Sequence, residues 1–291
     1  MIFDSAKKGF KAYFSNIAIL LIMSAIYIVL TKLVLTLGQF FFYYCFSENG
    51  IFDTNAKSAD PLGFLYAALT GTNTYSAIET IGINLIFAVF AAPINTGFIK
   101  STMSIAGGGG AKISDCFYFY RSPKLWAKAS LLVFLFTTLI GIFQSFFQLY
   151  TLKIDWSFLL LIMSSLAILF VGIMFFPIIY LFGEHPEMKL SELFYASRET
   201  AKGYRMKYIG LSVFTTFLVL IIGNVFTPIT FLPFDKDFLF SVSGQIKNLF
   251  INPLVKCITA FFIYSVIHMK INADNATFTV ESTDVAGEEI L

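Results

Sequence analysis

The stretch IAILLIMSAIYIVLTKLVLTL, residues 17–37, decides the fold: it is a long apolar run with one charge, Lys32. A helix needs about 20 apolar residues to cross the ~30 Å hydrocarbon layer, because lipid offers no partner for an unpaired peptide group. The run is too long for a signal peptide and lacks a small-residue cleavage site, which predicts a retained helix that runs on toward residues 40–46. Five further stretches share its character, at 78–98, 126–149, 156–181, 208–228 and 249–269. The sequence therefore predicts an all-α, polytopic integral membrane protein with six transmembrane helices.

Composition agrees with that reading. Of 291 residues, 57% are hydrophobic and 13% charged, against roughly half and a quarter in a soluble domain. A soluble enzyme is excluded as the default. The net charge of +2 and the dispersed basic residues point away from nucleic acid. Cys45, Cys116 and Cys257 lie far apart without a CxxC pair, which predicts neither a disulfide framework nor a zinc site.

Orientation follows from lysine and arginine, which concentrate on the cytoplasmic side. With the N-terminus inside, 14 of the 20 basic residues fall on that side. Lys57, Lys153, Lys236 and Lys247 fall outside, and Lys32 and Lys256 lie within spans. Both termini are expected in the cytoplasm. Segment 47–77 reads as an outer solvated loop with a short interfacial helix at 61–69, and 271–291 as an acidic, disordered cytoplasmic tail.

An internal likeness organises the spans. Residues 112–121 align with 189–198: Lys, Ser, Phe, Tyr and Arg coincide, and Asp115 stands opposite Glu192. A looser echo links 6–11 to 201–205. The unit is then an interfacial amphipathic helix followed by two spans, giving three helical hairpins. The second span of each unit carries a proline, Pro93, Pro177 or Pro253, and a shared bend is expected there. Segment 189–207 places Leu190, Leu193, Phe194, Ala201 and Tyr204 near one face, with Glu192, Glu199, Lys202 and Arg205 around the other. The basic residues Lys112, Arg121, Lys189, Arg198, Lys202 and Arg205 are thus candidates for contact with anionic lipid or a protein partner.

The opening at 6–14, the 93–97 region, the glycine-rich turn followed by 113–118, and the 187–203 stretch with Ser197 and Gly203 together resemble an uncharacterised bacterial family of six-span proteins. This is the YciC-like group, with relatives among the membrane domains of glycerophosphodiester phosphodiesterases. The resemblance covers most of the chain. It implies the architecture, a bacterial plasma-membrane location and a role in envelope or transport complexes. The catalytic barrel of the phosphodiesterases has no counterpart here, so it implies no catalytic residue.

Residue chemistry adds little to suggest an enzyme. The glycines at 107–110 precede Lys112 without the GxxxxGK[ST] spacing, and read as a connector. Glu184, His185 and Glu187 lack the spacing of a metal site, and no GxSxG occurs. No catalytic residue, cofactor or metal ligand is assigned.

The polar residues within the spans say more, because charge in hydrocarbon is costly. Lys32 and Lys256 could bind an anion or pair with Glu79, while Asn84, Asn95, Gln144, Gln148, Asn224 and Asn252 could line a path. A structural or snorkelling role for both lysines is the simpler reading. The expected function is non-enzymatic, through membrane lipids, a protein partner or a homo-oligomer, as an accessory or assembly component of an envelope or export system. The alternative is a transporter or channel for a small or amphipathic solute, built around Lys32, Glu79, Asn224 and Lys256.

Overall fold

The structure, a computed structural model, describes residues 1–46, 77–151, 157–225 and 236–287, and among these no strand occurs. In chain order the helices are α1 (Ile2–Ser15), α2 (Ile17–Phe46), α3 (Ala77–Phe90), α4 (Ala92–Ala106), a 3-10 helix (Ile113–Tyr120), α5 (Pro123–Thr151), α6 (Ser157–Phe175), α7 (Ile178–Glu184), α8 (Leu190–Ala201), α9 (Arg205–Val225) and α10 (Lys236–Gly287). The expected outer loop and its short helix at 61–69 lie outside the described residues.

Ile17–Gly38, Arg205–Ile222 and Ser243–Lys270 are each long and apolar enough to cross a bilayer. Asn84–Phe90 with Ala92–Ala106 makes a fourth crossing if that bent pair is one span. Helices α5 and α6 stand where the third and fourth spans are expected. Among the described residues the crossing helices number three or four, where the sequence predicts six. Outward faces are apolar: Val29 and Leu33 on α2, Met163 and Phe170 on α6, and Leu220 and Ile221 on α9 are each more than half exposed. A surface of that kind suits lipid and would be a liability in water. Helix α10 is the central post, since 61% of its apolar window is buried, against 17% for α2 and 11% for α9. It also runs on to Gly287, through the acidic stretch read from sequence as a disordered tail; no proline or glycine interrupts 271–286.

Of the three prolines where a bend is expected, Pro93 stands at a bend, Pro177 at a break between helices, and Pro253 within a continuous helix. Helices α3 and α4 meet at 52°, with Pro93 in the first turn of α4. Proline has no amide hydrogen, so Val89 O, four residues back, loses its helical donor. Trp126 Nε1 from α5 donates to that carbonyl at 2.6 Å, and the Tyr120 hydroxyl donates to the next one, Phe90 O. The break is thus sealed by side chains, as irregular backbone at membrane depth requires. Pro177 separates α6 from α7. At Pro253 the helix continues, held on its flanks by α1, α2, α4 and α9.

The two aligned blocks share a register and differ in backbone. Lys112 and Lys189 are both the extended residue preceding a helix, Asp115 and Glu192 both stand in its first turn, and Cys116 and Leu193 are both fully buried. One block is a 3-10 helix and the other an α-helix. The looser echo is not matched in structure: Gly9 lies inside α1, whereas Gly203 forms a left-handed turn (φ +83°) between α8 and α9. That turn also ends α8 before Tyr204 and Arg205, so its buried face is Leu193, Ser197, Thr200 and Ala201.

Helix α1 buries Ser5, Ala6, Gly9 and Tyr13 on one face, and this face packs on α10. The crossing is at Gly9, where a Cβ would lie 2.7 Å from the Cα of Ile258. The main core gathers Leu20, Met23, Phe98, Ile258 and Phe262 around α10. A second cluster joins Phe119, Leu132, Ile178, Phe182 and Leu193, with the Phe119 and Phe182 rings 4.8 Å apart.

Candidate functional site

The three best-placed spans put a polar group at mid-depth. Lys256 is central in Ser243–Lys270, Tyr27 in Ile17–Gly38, and Asn95 in the bent pair 84–106. These residues meet. Lys256 Nζ donates to Asn95 Oδ1 at 2.5 Å and lies 4.8 Å from the Tyr27 ring centroid and 4.2 Å from that of Phe98. Asn95 is brought there by the break, since it sits in the first turn of α4 with its amide on Ala91 O. Lys256 is 8% exposed, so it points into the bundle and does not snorkel. Cation–π contacts of about 0.5–2 kcal/mol each offset part of the cost of an amine at this depth.

The hydrogen-bond partner that Lys256 has among the described residues is Asn95. Glu79 lies in the first turn of α3, 16 residues before Asn95 in sequence, which is about 24 Å of helical rise. Asn224 lies in the last turn of α9. The side chains of Glu79, Asn224, Gln144 and Gln148 fall outside the described residues. Asn84, also proposed for the path, is spent on structure: its Nδ2 donates to Thr137 O at 3.1 Å.

Beside Tyr27 lies a cavity of about 540 Å³ between α2, α9 and α10. Helix α10 packs against both of the others, which make little contact with each other, so the cavity is a cleft floored by α10. Its polar lining is Tyr27, Thr31 and Lys32 from α2, and Gln245, Asn248 and Asn252 from α10. Spacings of three and four put the three amides on one helix face, and Lys256, four residues past Asn252, continues that stripe inward. Tyr27 touches both the cleft and Lys256. It therefore partitions the cleft from the inner lysine. Among the described residues the lining includes one cation, Lys32, and no carboxylate.

The six basic candidates are all on the surface. Lys112, Arg121, Lys189, Arg198, Lys202 and Arg205 are exposed. The pairs Lys189–Glu192 and Lys202–Glu199, each at 3.9 Å, are solvent-exposed ion pairs of small worth. Arg121 and Lys100 flank the Tyr118 ring at 5.3 and 4.5 Å. Close by, burial pushes the Asp115 carboxyl above the usual carboxylate range, while Lys100, Lys112 and Arg121 pull it back. Burial likewise pushes the Cys116 thiol up to about 11, which keeps it an unreactive thiol at neutral pH.

A smaller cavity of about 360 Å³ is lined by Lys100, Ser104, Gly107, Gly109, Glu184 and Tyr264. Gly108 takes φ +87° in the turn after α4, a backbone that suits a tight connector. His185 is exposed. Among the described residues no group of three His, Cys, Asp or Glu could hold a metal.

Sequence reasoning missed five contributors. Trp126 and Tyr120 seal the helix break; the signal was Pro93 itself, which names Val89 as the carbonyl needing a donor. Lys128, 8% exposed, donates to Met188 O at 2.8 Å and Pro186 O at 3.3 Å and so fixes the turn before α8. Gln245 and Asn248 join Asn252 at helical spacing, a stripe legible in the sequence once that span is extended toward its N-terminus. Comparison with known families, characterised proteins and solved structures gives no match.

Proposed function

We propose that this is a bacterial plasma-membrane protein of six spans in three hairpins, with both ends in the cytoplasm, that works by binding and not by catalysis. Its ligand is a lipid or similar amphiphile admitted sideways between α2 and α9. The observation that carries this reading is the cleft: α2 and α9 stand apart over α10, and the gap is polar inside and flanked outside by Val29, Leu33, Leu220 and Ile221. A headgroup fits the interior while its chains stay in lipid. The exposed basic residues on the 3-10 helix side and on α8 would rest on an anionic leaflet or a protein partner, at about 1 kcal/mol per cation. That contact gives the protein its accessory or assembly role in an envelope or export system.

The test is extraction with native lipid, followed by mass spectrometry of whatever stays bound. A stoichiometric lipid that is lost in Val219→Trp, which fills the cleft, supports the reading. A preparation in which that substitution changes nothing overturns it.

A second reading, transport of a small or amphipathic solute, is favoured by the broken α3–α4 helix beside Lys256 and Asn95, since discontinuous helices near the midplane are the usual setting of transporter sites. Uptake into reconstituted vesicles that is abolished by Lys256→Met would favour it over simple binding.

A further inference from the structure

We propose that the smaller cavity, where the ends of α4 and α7 meet α10, binds a primary ammonium group that donates to the Glu184 carboxylate and to the hydroxyls of Ser104 and Tyr264. This site is separate from the cleft between α2 and α9 and does not depend on it.

Glu184 carries the argument. It is the last residue of α7, it lines the cavity, and its Oε2 is buried without a hydrogen-bond partner among the described residues. The backbone holds it there: α7 presses on α4 at Gly183, where a Cβ would lie 3.2 Å from the Cα of Lys100. A buried carboxylate oxygen without a donor is costly, and a ligand N–H removes that cost. Lys100 lines the same cavity, but its amine is engaged elsewhere. It lies 4.5 Å from the centroid of the Tyr118 ring and stabilises the Asp115 carboxylate. The ion pairs among the described residues leave Glu184 out. The C-terminal end of α4, negative by its peptide dipoles, also faces this space at Gly107.

The lining also decides which cation fits. The Ser104 and Tyr264 side chains line the cavity, and neither hydroxyl has a hydrogen bond to a described residue. With Glu184 they supply acceptors from three helices, and an ammonium has three N–H groups to give. Gly107 and Gly109 complete the wall without side chains that would fill the space. A metal ion would meet a single carboxylate, since no set of three His, Cys, Asp or Glu occurs among the described residues. A quaternary ammonium has no N–H to donate, and one aromatic ring makes no cage for it. The volume of about 360 Å³ suits a small amine or a headgroup.

A primary ammonium arrives as a free amine or on a lipid headgroup, and the experiment separates the two. The full chain, in one detergent, is titrated with phosphatidylethanolamine, phosphatidylcholine, free ethanolamine and free choline. Native mass spectrometry reads lipid retention, and thermal unfolding reads the free amines. Expected for wild type is retention of phosphatidylethanolamine about tenfold over phosphatidylcholine, the worth of one hydrogen bond to a charged group. Glu184→Gln should abolish that preference, Tyr264→Phe should weaken it severalfold, and Val219→Trp, in the other cleft, should leave it unchanged. Stabilisation by ethanolamine and not by choline, without a lipid preference and absent in Glu184→Gln, would assign the free amine.

Equal retention of the two lipids, with no stabilisation by ethanolamine, overturns the proposal. So does an ammonium preference that survives Glu184→Gln. A preference lost in Val219→Trp instead would belong to the cleft between α2 and α9 and equally overturns it here. Should Glu184→Gln fail to fold, Tyr264→Phe, which keeps the ring, decides in its place.

Discussion

Gly97 allows α4 to lie directly on the 3-10 helix. A Cβ there would sit 2.7 Å from Cys116 O and closer still to Asp115 O, both backbone atoms, so Gly97→Ala must push the two elements apart. Overpacking of that kind costs about 1–3 kcal/mol, and thermal unfolding in one fixed detergent should show it. Gly172→Ala, with nothing within 4 Å, should be neutral or stabilising by up to about 1 kcal/mol. Trp126→Phe keeps a ring but leaves Val89 O without its donor, a loss of about 1–3 kcal/mol in the same assay. Asp115 has a pH signature. Its carboxyl is raised by burial, so the folded state favours the protonated form, and that contribution is present at low pH and lost as pH rises through the raised value. Asp115→Asn should therefore unfold at higher temperature than wild type at pH 7, with the advantage closing as pH approaches 4. The depth of Lys256 was legible in the sequence from its place in an apolar run. Its partner was not, because Asn95 is 161 positions away and only the packing of α4 against α10 brings the two together.

Among the elements, the helical runs and the interfacial blocks could be read from periodicity, and the prolines show where that reading stops. Pro93 and Pro253 look alike in sequence, each inside an apolar run. The first opens a 52° break because Trp126 and Tyr120 stand ready to take the freed carbonyls. The second lies in the most buried helix of the molecule, where neighbours hold the axis. Tertiary context of this sort leaves no local trace in the chain. The cleft was invisible for the same reason: it is the space two helices leave when both lean on a third. The 3-10 helix carries its own prediction. An eight-residue run of this geometry is long for its kind, yet Cys116 within it is wholly buried and its thiol is pushed up to about 11. A membrane-permeant maleimide at pH 7.5 should leave Cys116 unmodified in the folded protein and label it after denaturation. Rapid labelling in the native state would mean that the 3-10 helix lifts away from Gly97.

For the whole molecule, the proposed topology has both termini on the cytoplasmic side, an expectation that comes from the distribution of basic residues in the sequence. Reporters fused at each end should give the same cytoplasmic signal, and opposite signals would remove the even number of spans. The packing of α1 on α10 at Gly9 and Ile258 carries a further consequence, for the order of assembly. Helix α1 leaves the ribosome well before α10, and the surface that covers its inner face follows some 249 residues later, counted from Gly9 to Ile258. At about 5–20 residues per second of synthesis, α1 waits about 12–50 s for its seat. Throughout that interval its small-residue face must be sheltered by the bilayer surface or by a chaperone, and a nascent chain stalled before α10 leaves the oldest helix as the most exposed one.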